Sequence, residues 1–196
     1  LWTIRTNLTG RETATGETKA DRRPVDRLAN GFVPVALAYL AIGTYGVVSV
    51  HLGLPPLVDG YRPRATHLLA AGTAGMLVFS LGFRLLPRFL VATPPRSLVA
   101  VVLAAGAVGP AILATNLLGG PWFRVGATVQ ATAVVGFAAA YAVLFHRSER
   151  RRVGFYGVLV GAACGVVGVA LGLSFAVATA SPELVTAHLR FNLLGF

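Results

Sequence analysis

Five apolar stretches, each long enough to cross a bilayer, leave this chain one kind of fold. They run from Phe32 to Leu52, Thr66 to Leu86, Leu98 to Leu118, Gly126 to His146 and Gly154 to Ala180. About 20 apolar residues in helical form cover the hydrocarbon core. Inside that core water cannot satisfy backbone N–H and C=O groups, so an open chain must bond them internally as helix. A sixth stretch, Glu183 to Phe196, has the character of the start of another span but is too short to cross. The expectation is an all-α, polytopic transmembrane helix bundle with five full spans and a truncated sixth. Leu1 stands where an initiator Met is usual, and further helices are expected downstream in the natural protein.

Charged residues make up only 12% of the chain and mean hydropathy is +0.71, whereas a soluble domain carries about 25% charged residues. Residues 1–30 are polar and rich in Thr, Gly and mixed charge. They lack the apolar core of a signal peptide. They are read as a disordered cytoplasmic tail, with residues 31–196 as the transmembrane domain.

The net charge of +10 does not point to nucleic acid, because its distribution follows the spans. Arg5, Arg11, Lys19, Arg22, Arg23 and Arg27 precede the first span, and Arg84, Arg88 and Arg96 close the second. Arg147, Arg150, Arg151 and Arg152 follow the fourth. With alternating spans all of these share one side, against Arg62, Arg64 and Arg124 in loops on the other. The positive-inside rule then puts the N-terminus in the cytoplasm and the chain in the cell membrane, with lipid as its first partner. The Arg147–Arg152 cluster also suits anionic headgroups.

Several chemistries find no support. Cys164 is the single cysteine, no Cys-x-x-Cys-His attaches a haem covalently, and no Gly-Lys-Ser/Thr follows a glycine cluster. Acidic residues are missing from the spans, so no Ser-His-Asp set forms within them. Gly157, Gly161 and Gly165, then Gly168 and Gly172, give the fifth span a smooth face suited to close packing against another helix of the same chain. Pro110 is expected to kink span three. Asn116 and Gln130 are intramembrane amides, expected to bond across helices.

Histidine carries the functional argument. His51, His67 and His188 fall near the outer ends of spans one, two and six, and His146 at the cytoplasmic end of span four. A buried imidazole needs a partner, and neutral imidazole is a common haem and copper ligand. Two histidines at one depth on different helices can clamp an iron with nitrogens about 4 Å apart, twice a metal–nitrogen bond of about 2 Å.

Span two reads Arg64-Ala65-Thr66-His67-Leu68-Leu69-Ala70-Ala71-Gly72 and leaves through Leu85-Leu86-Pro87-Arg88. Span six reads His188-Leu189-Arg190-Phe191-Asn192-Leu193-Leu194-Gly195-Phe196. These segments resemble the His-Ala-His-Leu-Asn-Leu-Leu-Gly-Phe and Leu-Leu-Pro-Arg patterns of haem-copper oxidase superfamily subunit I, in its divergent oxidase-like and nitric-oxide-reductase-like branches. Ala65 and Arg190 stand where the pattern has its other histidines. The resemblance implies a haem-binding membrane protein with a respiratory or electron-transfer role, working with other respiratory subunits or an electron donor. It implies His67 as a haem ligand and His188 as a second metal ligand, for copper or haem. Arg62 and Arg64 are candidate partners of haem propionates. The competing class is a transporter or scaffold without cofactor. The two segments also resemble each other: setting His67 against Arg190 aligns Gly72 with Gly195, as in an internal repeat.

Overall fold

Long helices dominate the described residues because each apolar run closes its own backbone hydrogen bonds. The computed structural model describes residues 22–55, 57, 62–150, 152–178 and 180–196. Helix α1 is Arg23–Gly31 and α2 is Val33–Leu52. Span two is built from α3 (Arg62–Thr66), a π-type segment π1 (His67–Gly75) and α4 (Met76–Leu90). Then follow α5 (Arg96–Asn116), α6 (Phe123–Arg147), α7 (Val153–Ser174), α8 (Pro182–Arg190) and a second π-type segment, π2 (Phe191–Gly195). The fold is an all-α bundle, and five of its helical runs are long and apolar enough to cross a membrane.

The side chains facing outward bear this out. Leu37, Val47, Val101, Val108, Val135 and Val160 are exposed, each mid-helix. Lipid tails are as apolar as these side chains, so the surface need not be polar. The interior is a cluster of Met76, Phe79, Phe83, Val99, Leu103, Val134 and Phe137. The Phe137 ring lies 5.2 Å from Phe79 and 5.3 Å from Phe83, both tilted or edge-on. Such offset arrangements suit the ring quadrupoles.

Residues 23–30 correct the expectation of a disordered tail. Val25, Asp26, Ala29 and Asn30 recur at helical spacing and are buried against α4 and α5. Asp26 accepts a 2.7 Å salt bridge from Arg88, and Asn30 accepts a 3.2 Å hydrogen bond from Arg84. Two arginines that mark the exit of span two therefore have partners on α1. Polarity at this end comes from a docked helix with one polar, paired face. The remainder of the expected tail, residues 1–21, lies outside the described residues.

Two further boundaries move. The fifth span ends at Ser174 rather than Ala180, where the Ser174 hydroxyl donates back to Leu171 and the chain turns. Ser181 then caps α8 through the N–H of Leu184, a good start for a separate helix. Helix α5 continues through the buried Pro110.

The spans pack largely in chain order. Helix α2 and α5 flank π1, α5 runs along α6, and α6 along α7. The sixth segment, α8 and π2, lies on α7. Its Phe196 ring reaches across to Phe79 and Phe137, at 6.2 and 6.3 Å. That crossing returns the last helix to span two, although more than a hundred residues separate them.

Candidate functional site

The glycine face of α7 sets the position of span six. A side chain at Gly165 would meet the Phe196 ring, one at Gly168 would meet Asn192, and one at Gly172 would meet His188. Gly161 faces the backbone carbonyl of Gly195. The expected close-packing face is present, with span six as its partner. Gly157 is outside it and faces open space.

The same packing fixes His188. Its Nδ1 lies 2.8 Å from the carbonyl oxygen of Gly168 on α7. The carbonyl can only accept, so Nδ1 carries a proton; the Asn192 amide nitrogen also stands 3.3 Å from this Nδ1. Asn192, one turn on, donates to the His188 carbonyl at 2.8 Å. The edge of Phe175 stands against the imidazole at 5.6 Å and 67°.

His67 is held in a parallel way from its own helix. Its Nδ1 donates to the carbonyl of Pro63 at 2.8 Å. It sits where span two widens from α to π geometry. The widening shows again where the Thr73 hydroxyl donates to Leu68, five residues back. Wide turns of this kind are concentrated at functional sites. Behind His67, the span is braced where the Tyr39 ring covers Gly72 and the Tyr39 hydroxyl donates to Ala107.

The two imidazoles are neighbours between spans two and six. Their centroids are 6.4 Å apart and their planes differ by 19°. Near-parallel rings at this distance are at the far edge of aromatic contact, which spans about 4.5–7 Å, so direct stacking contributes little. A five-membered ring with bonds of about 1.33 Å places its atoms about 1.1 Å from the centroid. With metal–nitrogen bonds of about 2.0 Å on both sides, two imidazoles whose Nε2 atoms point at one ion from opposite sides have centroids about 6.3 Å apart. Both rings are half-buried, and neither Nε2 has a hydrogen-bond partner among the described residues.

The other candidate residues divide. Arg64 is half-buried three residues before His67, on the same helical run. The side chain of Arg62 lies outside the described residues. His51 and His146 are exposed at the ends of α2 and α6 and do not join the pair. Cys164 packs against Gly195 and borders an open groove of about 740 Å³ shared with Glu183, Arg190 and Leu194. Asn116 does not bond across helices: it donates to Ile112 in its own helix and accepts from the Trp122 N–H, closing the loop before α6. Gln130 is buried against Gly109, and its Oε1 has no hydrogen-bond partner among the described residues. Among the described residues no group of three or more His, Cys, Asp or Glu side chains is gathered to hold a metal ion. Of these side chains, two imidazoles, His67 and His188, are brought together here.

Among the residues that orient the pair, Gly168 and Gly172 belong to the packing face expected from sequence, whereas Phe175, Asn192 and the Pro63 carbonyl were not assigned a role there. Pro63 acts within its own helix, the others through helix–helix register. The four-residue spacing from His188 to Asn192 is the one signal that could have marked one of them. The aligned segments around His67 and His188 share a further property: each turns π-helical, beginning at His67 and at Phe191. Comparison with family models, with curated proteins and with solved structures gives no match for this chain.

Proposed function

We propose that this is a haem-binding integral membrane protein in which His67 and His188 would together hold the haem iron, with an electron-transfer role. The observation that carries the reading is the imidazole pair, 6.4 Å apart and within 19° of parallel. A porphyrin brings four nitrogens of its own, so two imidazoles complete six-coordination. Zinc or copper held by side chains alone usually takes three or four protein ligands. The two-nitrogen donor set therefore favours haem over a separate copper centre at His188.

Bound haem would supply a one-electron couple. The rest of the work falls to the chain. Carbonyls of Pro63 and Gly168 hold each Nδ1 proton, which fixes the tautomer and raises the basicity of the ligating nitrogen. Phe175 and the surrounding apolar helices keep water from the rings, which tunes the potential. Arg64 is near enough in sequence to His67 to meet a propionate by a charge-assisted bond, and Arg62 is the second candidate. Other respiratory subunits or an electron donor are the partners this role requires.

The test is a spectrum. Detergent-purified protein, titrated with haem, is expected to develop a Soret band and sharp reduced bands of a six-coordinate low-spin iron. A titration that shows only the spectrum of free haem, with no low-spin bands, overturns the reading and leaves a transporter or scaffold.

We further propose that the protein lies in the cell membrane with its N-terminus and the loop 147–152 in the cytoplasm. The support is the arginine distribution. Cysteine placed at position 149 is expected to resist impermeant thiol reagents on intact cells, while one at position 59 reacts. Labelling at 149 and protection at 59 would reverse the orientation.

A further inference from the structure

We propose that Gly172 is a positioning residue of this site: with the Gly168 carbonyl, it sets the plane of the His188 imidazole from a helix that itself contributes no ligand. The proposal rests on the haem reading above and extends it to what controls the ligand geometry.

The argument begins with space. A Cβ at position 172 would lie 2.9 Å from Cε1 and 3.2 Å from Nδ1 of His188. The Cε1–Nδ1 edge of the ring therefore lies against bare backbone, closer than a Cβ at this position would allow without the ring shifting. One turn earlier on α7, the Gly168 carbonyl accepts the Nδ1 proton at 2.8 Å. One residue beyond the end of the same helix, the Phe175 edge closes a third side at 5.6 Å. Asn192 bonds to the backbone of His188 and lies over Gly168, so it locks α8 against α7. Three contacts from one element thus bear on one ring: a backbone contact, a hydrogen bond and a wall.

His67 takes its orientation from span two alone, through Pro63. The 19° between the planes is therefore a register between α7 and span two, transmitted to the iron by His188. Ligand-plane angle matters chemically. Near-parallel imidazoles lift the degeneracy of the iron orbitals that bond in π fashion, and ferric low-spin iron then gives a rhombic paramagnetic resonance signal. Crossed planes give a more anisotropic one. Axial ligand and hydrogen bonding are also what the protein uses to set potential.

The experiment compares paramagnetic resonance and haem affinity in the ferric full-length protein, with haem itself as the probe. The parent is expected to show a rhombic low-spin signal. In Gly172→Ala the new methyl takes the space of Cε1, so the ring must turn or withdraw and strain its bond to Gly168. We expect a shifted or broadened low-spin signal and a loss of affinity of about 10- to 100-fold, the range for residues that orient metal ligands. Gly157→Ala, where a Cβ meets nothing within 4 Å, should match the parent. If Gly172→Ala does not fold, Phe175→Leu decides, since it removes the ring edge without adding bulk; its signal should also shift. Parent-like signals and affinity in the variant that folds overturn the positioning role while leaving the ligand pair intact. A parent that gives no low-spin signal overturns the haem reading, and the proposal with it.

Discussion

Replacing His67 by alanine is expected to abolish the low-spin haem spectrum, and replacing His188 should do the same. On the haem reading each ring would be one half of the donor set, and His51 and His146 are exposed at other helix ends. Loss of either leaves iron five-coordinate or bound by water, a weaker-field arrangement with displaced Soret and visible bands. Affinity should fall further than the roughly 100-fold that an orienting residue can account for. The double variant should lose haem altogether. Neither substitution should unfold the protein: both rings are only half-buried, and the helices that carry them are held elsewhere, by Tyr39 over Gly72 and by Phe196 over Gly165. An unchanged spectrum in either single variant removes that histidine from the site.

Gly109→Leu is expected to be the most damaging substitution for folding. Here α5 and α6 approach so closely that a Cβ on residue 109 would lie 2.9 Å from both the N and the Cα of Gln130. Backbone cannot turn aside as a side chain can. On the other helix, Gly126 meets the backbone of Leu113 in the same way, at 3.0 Å, so this close approach is supported from both sides. Leucine must separate two spans along a shared, buried seam, forfeiting the dispersion contacts that hold helices together in lipid. Overpacking of this kind costs about 3 kcal/mol or more. A large drop in melting temperature in detergent, or failure to accumulate, is the expected outcome. Gly157→Leu supplies the comparison, with open space at that position. Equal stability of the two variants would show that the seam is not where the bundle is held.

The bundle itself was written in the chain as apolar runs, and all five spans stand close to where those runs placed them. The reason is local: a segment that cannot find water must satisfy its own backbone, and no tertiary contact alters that. The small-residue face of α7 was legible for a similar reason, since glycines four apart fall on one side of any helix. Helix α1 was not. Its residues are polar by count, and what makes them a helix is the docking of Asp26 and Asn30 onto Arg88 and Arg84, sixty-two and fifty-four positions away. Asn116 was misjudged in the opposite direction, because an amide near a helix end can bond to its own turn and loop as readily as to a neighbour.

The site divides along the same line. Sequence placed His51 and His67 near the ends of their spans, because position along a helix follows from position along the chain. Which histidines meet depends on the order in which helices pack around the bundle, and that is a sum of many side-chain contacts between distant segments. Glycines on α7 draw in span six, Phe196 carries it to Phe79, and His188 thereby comes beside His67 while His51 stays exposed. Spacing along one helix is fixed by 1.5 Å per residue. Spacing between helices is fixed only by what fills the gap, and that is decided in three dimensions.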